Sequence, residues 1–337
     1  IASGSQHVNT NNRKSNVLKK DTDVYTGSLG GGLIAMRSDA LSDDIGIKTS
    51  PLPSDYLHED SFPSSFGWHN YYGKNLLNIV RQSNEPYRCD AAWAFAITEI
   101  ISDRLNIMNY LAGVTAPLQV NLSPQVLINL EAGGNCDGGY AGDAMNYLYS
   151  TGVPDETCQN YMAINDPHGS NSEFNVCYTC DTNFVDPLAD CYSVEPDKTY
   201  KVMEYGYLGD VSSMKSEIYA RGPIACSLYV DEAFQNYNGG IFGLDREENG
   251  SEDKEEPDYI VTIVGWGYDE DEDKEYWIGK NQWGVAWGID GYFKILMGEN
   301  INGIESHCIW GVPEFEDELA ILTRRMNDLT ESTGNKK

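Results

Sequence analysis

The chain has 337 residues, with 23 Lys or Arg against 52 Asp or Glu, a formal net charge of −29. So acidic a surface repels nucleic acid and anionic membranes, which excludes both as expected partners; no apolar run approaches the roughly 20 residues of a membrane span. The aromatic content (22 Tyr, 9 Phe, 7 Trp) fits a large globular body with ample core, in one two-lobed domain or two ordinary ones.

Residues 1–50 are polar, rich in Asn, Ser and Lys and then in Gly at Gly27–Gly32. A segment this poor in core-forming side chains becomes ordered only when it lies against something larger. The chain opens on Ile1 without a signal-like apolar stretch, so the numbering is expected to begin after a processed segment.

From Pro51 the character changes. Phe62, Phe66 and Trp68 mark the start of the main body, and the decisive stretch, Arg81–Asp103, follows. Ala92, Trp93, Ala96, Ile97, Ile100, Ile101 and Leu105 recur at helical spacing, while Ala94 and Phe95 fill the other side of the first turn. This predicts a buried helix from Ala92 to about Tyr110 with its N-terminus near a cleft. The free N–H groups and dipole there would stabilise a thiolate or an oxyanion. The residue in place is Ala92, a methyl group.

Ser123 reads as an N-cap with Pro124 at the first helical position. Gly133–Gly139 is a loop stapled by Cys136, and Gly142–Ser150 a short helix ended by Gly152-Val-Pro154. Residues 158–195 look like a disulfide-laced surface loop. After Tyr200, one helix (Ser213–Ala220) and four strands (Ile224–Val230, Tyr259–Trp266, Tyr276–Lys280, Gly291–Leu296) are predicted. A helical first half and a sheet-rich second half make an α+β fold with a cleft between lobes.

Two acidic runs, Asp245–Glu256 and Asp269–Glu275, fall between strands. The second resembles a calcium loop only briefly, because Lys274 stands where that loop needs Gly; it reads as a solvated hairpin tip. In the tail, Phe315, Leu319, Leu322, Met326 and Leu329 form an apolar stripe. It suits a terminal helix folded onto its own domain or one docking on another chain.

The eight cysteines (Cys89, Cys136, Cys158, Cys177, Cys180, Cys191, Cys226, Cys308) suggest four disulfides and an oxidising compartment. Zinc at Cys177-x-x-Cys180 is the alternative, weakened because the outer spacings match no familiar site. Asn121-Leu-Ser and Asn249-Gly-Ser are candidate glycosylation acceptors, the first poorer because Pro124 follows it.

Motifs in order then carry a resemblance. They are Trp68-His-Asn, Cys89-x-x-Ala-Trp-Ala, Asn135-Cys-Asp-Gly-Gly, Gly152-Val-Pro-Asp-Glu-Thr-Cys158 and Glu217-Ile-Tyr-Ala-Arg-Gly-Pro-Ile. Asn236-Tyr-Asn-Gly-Gly-Ile, Val264-Gly-Trp-Gly267, Glu275-Tyr-Trp-Ile, Asn281-Gln-Trp-Gly284 and Trp287-Gly complete the set. From about Pro51 to Pro313 the chain resembles the papain-like cysteine peptidases, nearest their cathepsin X/Z branch. The resemblance implies an N-terminal extension with a propeptide-like segment (1–60) and a two-lobed peptidase domain (61–313). It divides that domain into a helical lobe of about 75–200 and a β lobe of about 201–313, followed by a helical extension (314–337).

The resemblance also assigns a catalytic set, and this chain departs from it. Ala92 falls on the nucleophile and Tyr259 on the base. A phenol with a pKa near ~10 does not serve at neutral pH where an imidazole near ~6.5 does. Ser83 falls on the oxyanion-hole Gln, with Gln82 one place off, and Asn84 falls on the loop His that grips a C-terminal carboxylate. Only the orienting Asn survives, as Asn281, beside the shielding Trp283. The five histidines (His7, His58, His69, His168, His307) offer no substitute base. The implied disulfides are Cys89–Cys136, Cys158–Cys177, Cys180–Cys191 and Cys226–Cys308, with one further family bridge absent.

The expectation is a catalytically inactive pseudopeptidase, without cofactor or metal, acting as a structural or protein-binding subunit. Its partners would be proteins reached through residues 1–50 and 314–337, and its place the secretory pathway, endolysosomal or extracellular. The alternative is an X-type carboxypeptidase inactivated by an engineered Cys-to-Ala change at position 92. Losing one catalytic group already costs on the order of 10^6 in turnover, so one engineered change would leave the other three departures without a purpose.

Overall fold

The computed structural model describes residues 46–114, 119–167, 169, 172–180, 191–244 and 256–315. The expectations for residues 1–45, His168, Asn249, the first acidic run up to residue 255 and the C-terminal stripe beyond Phe315 lie outside these.

The chain enters through a two-residue strand, β1 (Gly46–Ile47), two 3-10 turns (Pro53–Asp55 and Glu59–Ser61) and a second short strand, β2 (Phe66–Gly67). Three helices follow. The first, α1 (Ala92–Leu111), has all but Met108, Asn109 and Tyr110 buried. Next comes α2 (Pro124–Asn129), opened by the Ser123 hydroxyl accepting from the Val126 N–H, as the Ser-Pro signature predicts. A hairpin of β3 (Gly134–Asn135) and β4 (Gly138–Gly139) leads to α3 (Ala141–Ser150). Its glycines are steric necessities, since a Cβ at Gly139 would lie 2.6 Å from the Trp93 ring, which donates to the Asn135 carbonyl.

A second hairpin, β5 (Tyr178–Cys180) with β6 (Cys191–Ser193), precedes the sheet-rich half. There β7 (Val202–Leu208), α4 (Val211–Arg221), β8 (Ile224–Leu228), α5 (Glu232–Gln235) and β9 (Ile241–Phe242) are followed by β10 (Tyr259–Asp269), β11 (Lys274–Lys280), β12 (Tyr292–Leu296) and β13 (Cys308–Pro313). The main sheet runs β1-β7-β13-β8-β10-β11-β12-β9, with β2 also on β10. Every pairing in it is antiparallel except β12 with β9. The β10–β11 turn is the solvated acidic tip that the sequence predicts.

Nine of the thirteen strands among the described residues lie outside the sequence reading, most of them only two or three residues long, and for three of them the physical reason is plain. Gly46–Ile47 sits in a polar stretch with no alternation; β7 contains Gly206 and Glu204 where apolar residues would be read; β13 ends in Pro313. The N-terminal segment needed a larger surface to lie against, and for residues 46–50 that surface is β7.

All eight cysteines are bridged, as Cys89–Cys136, Cys158–Cys177, Cys180–Cys191 and Cys226–Cys308. Cys177 and Cys180 belong to different bridges, which removes the zinc alternative, and no group of three metal-ligating side chains occurs among the described residues. No helix among them is long and apolar enough to cross a membrane.

So deeply buried a helix as α1 must pair its charges, since an isolated buried ion is costly. Arg104 donates to Glu217 on α4 at 2.9 Å and to the carbonyls of Gly222, Pro223 and Gly311. Asp103 accepts from Lys280 at 2.7 Å and from the Asn78 N–H at 2.7 Å. These bonds tie α1 to α4 and to the main sheet.

Candidate functional site

The cleft position assigned by the motifs lies where the first turn of α1 meets the start of β10 and the end of β11. Cys89–Cys136 holds the chain just before the helix, and the Asp90 N–H donates to the Cys136 carbonyl at 2.9 Å. Ala91 caps α1 without a side-chain bond. Ala92, first in the helix, is 1% exposed and offers only a methyl group.

Tyr259, the first residue of β10, is also 1% exposed. Its hydroxyl donates to Gln282 Oε1 at 3.3 Å, and its ring lies 5.1 Å from that of Trp283. Burial drives the phenol's pKa far above its ordinary value, with Glu99 and Asp90 adding to the rise. Hydrogen bonds involving Ser83 and Trp283 offset only part of that rise. This group holds its proton at every physiological pH.

Ser83 is tied to the same residue: its N–H donates to the Gln282 carbonyl at 2.9 Å and its hydroxyl to the same oxygen at 3.2 Å. Gln82, the nearest amide to the expected oxyanion donor, is turned away. Its Nε2 donates to the Trp283 carbonyl at 3.2 Å and its Oε1 accepts from the Asn84 N–H at 3.3 Å. Asn281 is fully buried, and its Oδ1 accepts from the Gln282 N–H at 2.8 Å instead of facing a base.

The structure thus brings Ser83, Tyr259 and Asn281 together around Gln282, a residue the sequence reading passed over inside the Asn-Gln-Trp-Gly motif. It also passed over Glu99, one turn up α1 from Phe95. Glu99 is 3% exposed and stands 3.7 Å from Lys280, whose closer partner is Asp103. Burial raises the Glu99 pKa, and the neighbouring Asp103 carboxylate raises it further, against the pull of Lys280 and Arg81. A charged residue on the apolar face of α1 was the available signal.

Among the described residues no free thiol stands beside a histidine. Every cysteine is in a disulfide and none is free. Of the described histidines, His58 is exposed on the N-terminal segment, His69 sits in the turn after β2, and His307 precedes β13. Asn121 is half-buried, and the hydroxyl of its sequon partner Ser123 is consumed by the Gln159 carbonyl at 2.7 Å.

The fold is that of a papain-type peptidase body, and the chain belongs to that family: "Papain family cysteine protease" matches residues 62–312. It is similar to Cathepsin Z of Onchocerca volvulus, 34% identical over 261 residues, covering 75% of this chain and 79% of that protein. Among solved structures it resembles proCathepsin B S9 from Trypanosoma congolense, with TM-score 0.60 and 25% identity, over 85% of this chain and 87% of the other. Procathepsin L2 proteinase from the Tenebrio molitor larval midgut shares the fold at TM-score 0.61 and 24% identity, over 84% and 78% of the two chains.

Proposed function

We propose that this papain-family, cathepsin Z-like protein has lost peptidase activity and serves as a structural or protein-binding subunit in the secretory pathway. One observation carries the reading: all eight cysteines of the chain are spent in disulfides, so no thiol remains to attack a peptide. In this family's chemistry the thiolate is the nucleophile and a neighbouring imidazole activates it. Here a methyl and a buried phenol hold the assigned positions.

The four bridges, together with relatives of the cathepsin type, support an endolysosomal or extracellular residence. The binding role follows from a body that keeps its fold without the chemistry, with residues 1–50 and 314–337 as the proposed contact regions.

Two measurements test the reading. Thiol titration of the unreduced, denatured protein is expected to find no reactive sulfur. Purified native protein is expected to leave a peptide with a free C-terminus intact; hydrolysis abolished by E-64-type alkylation would overturn the proposal.

A further inference from the structure

The N-terminal segment is held by a built site remote from the cleft. Gly46 and Ile47 pair with Gly206 and Tyr205 at the edge of the main sheet, and β7, β13 and β8 separate them from β10. Glu204, only 4% exposed, collects four hydrogen bonds from Thr49 and Ser50, just beyond Lys48. The Thr49 N–H and hydroxyl donate at 2.8 and 2.9 Å, the Ser50 N–H at 2.9 Å and the Ser50 hydroxyl at 2.6 Å. Arg221 on α4 donates to the Ser50 hydroxyl at 2.8 Å and to the Pro51 carbonyl at 2.9 Å. It also lies 3.5 Å from Glu204 and 3.6 Å from Glu217, which leads on to the buried Arg104.

The site is selective. At Gly46, φ is +125° and a Cβ would come 2.4 Å from the Tyr205 carbonyl oxygen, so only glycine fits. Two adjacent hydroxyl residues match the two oxygens of Glu204, and Pro53 is buried in a turn packed on α4. The following turn is open: Ser54, Asp55, Tyr56, His58, Asp60 and Ser61 are exposed.

We propose that the β7 edge and the N-terminal-segment side of α4 form a peptide-binding site. It is occupied here by the chain's own Gly46–Pro53 and keeps that segment bound when the exposed 54–61 turn is severed. The ligand class is an extended segment with a leading Gly, adjacent Thr or Ser residues and a following Pro. Main-chain pairing supplies affinity and the Glu204–Arg221 clamp supplies selectivity, as in strand addition to a sheet edge. A cut by an endopeptidase, which adds water across one peptide bond of the turn, would leave a two-chain protein. The inference holds whether or not the cleft is active.

The test inserts a site-specific protease sequence between Tyr56 and Leu57 of the full chain. After cleavage at neutral pH, residues 1–56 are expected to co-elute with the body in gel filtration, and an excess of synthetic Gly46–Pro53 peptide to displace them. Separation of the fragment from a body with unchanged circular dichroism would overturn the proposal. The double variant Thr49→Ala/Ser50→Ala, which alters exposed residues of the segment alone, is expected to release the fragment at least tenfold faster. Equal retention would also overturn it. Should the insertion prevent folding, amide exchange at Ile47 of the uncut double variant is expected to speed up about tenfold, and unchanged exchange would count against the clamp.

Discussion

The Tyr259 hydroxyl donates to Gln282 Oε1 at 3.3 Å while both oxygen and nitrogen of Ser83 donate to the Gln282 carbonyl. The side chains at the assigned base and oxyanion positions are therefore both bonded to Gln282.

Ala92→Cys alone is accordingly expected to yield no turnover of a peptide substrate. Its thiol, buried and lacking an imidazole, is expected to alkylate only slowly with iodoacetamide, because burial opposes the thiolate that the helix N-terminus favours. Adding Tyr259→His supplies a partner that can draw the thiol pKa to well below 7. The double variant should therefore alkylate at least tenfold faster than Ala92→Cys at pH 6. Measurable peptidase activity in the single variant would favour the engineered-inactivation reading.

The buried acid at Glu99 gives a pH signature. Its folded pKa is raised, first by burial and then by Asp103, so the stability its neutral form contributes is fully present below the unfolded carboxyl value. That contribution is lost as pH rises through the raised one. Glu99→Gln removes the titration. Thermal melts are expected to coincide for the two proteins near pH 4 and to diverge toward pH 7, with the variant more stable by roughly 1 kcal/mol or more. A variant less stable than wild type at neutral pH would mean that the Lys280 attraction outweighs desolvation.

Asp103 behaves oppositely on removal. It is fully buried and is the nearest partner of the fully buried Lys280, at 2.7 Å. Asp103→Ala strands that ammonium and the Asn78 N–H together, and is expected to lower unfolding free energy by about 3–5 kcal/mol in denaturant titration. A loss below about 1 kcal/mol would show that Glu99 takes over as partner.

What could be read from the sequence follows what periodicity and motif spacing carry. The buried helix beginning at Ala92, the Ser123 cap and strands β8, β10, β11 and β12 all announce themselves through apolar spacing or turn residues. The cysteine pairs came from the resemblance, since eight cysteines alone permit 105 connectivities. Glu99 left only the signal of a charge inside an apolar helix, and Gln282 did not announce itself because its role depends on contacts with Ser83 and Tyr259. The clamp at Glu204 was hidden for the same reason: Thr49 and Glu204 lie 155 residues apart, and each alone reads as an ordinary surface polar residue.

That clamp makes the last prediction, which concerns acid. Burial pushes the Glu204 carboxyl up, but the bonds from Ser50 and Thr49 and the charge of Arg221 pull it down further, leaving its pKa below the usual value. For a depressed acid the stabilisation is present above the unfolded pKa and is lost as pH falls through the folded one. The N-terminal segment should therefore stay protected at neutral pH and loosen only as pH falls below the ordinary carboxylate range, through the depressed value of Glu204. Amide exchange at Thr49 and Ser50, corrected for intrinsic pH dependence, measures this directly. Glu204→Gln presents one acceptor oxygen in place of two and no charge, so its exchange at pH 7 should match that of the wild type at a pH low enough to protonate Glu204. Protection in Glu204→Gln equal to wild type at neutral pH would mean that the β1–β7 pairing alone holds the segment, and that the carboxylate is not its anchor.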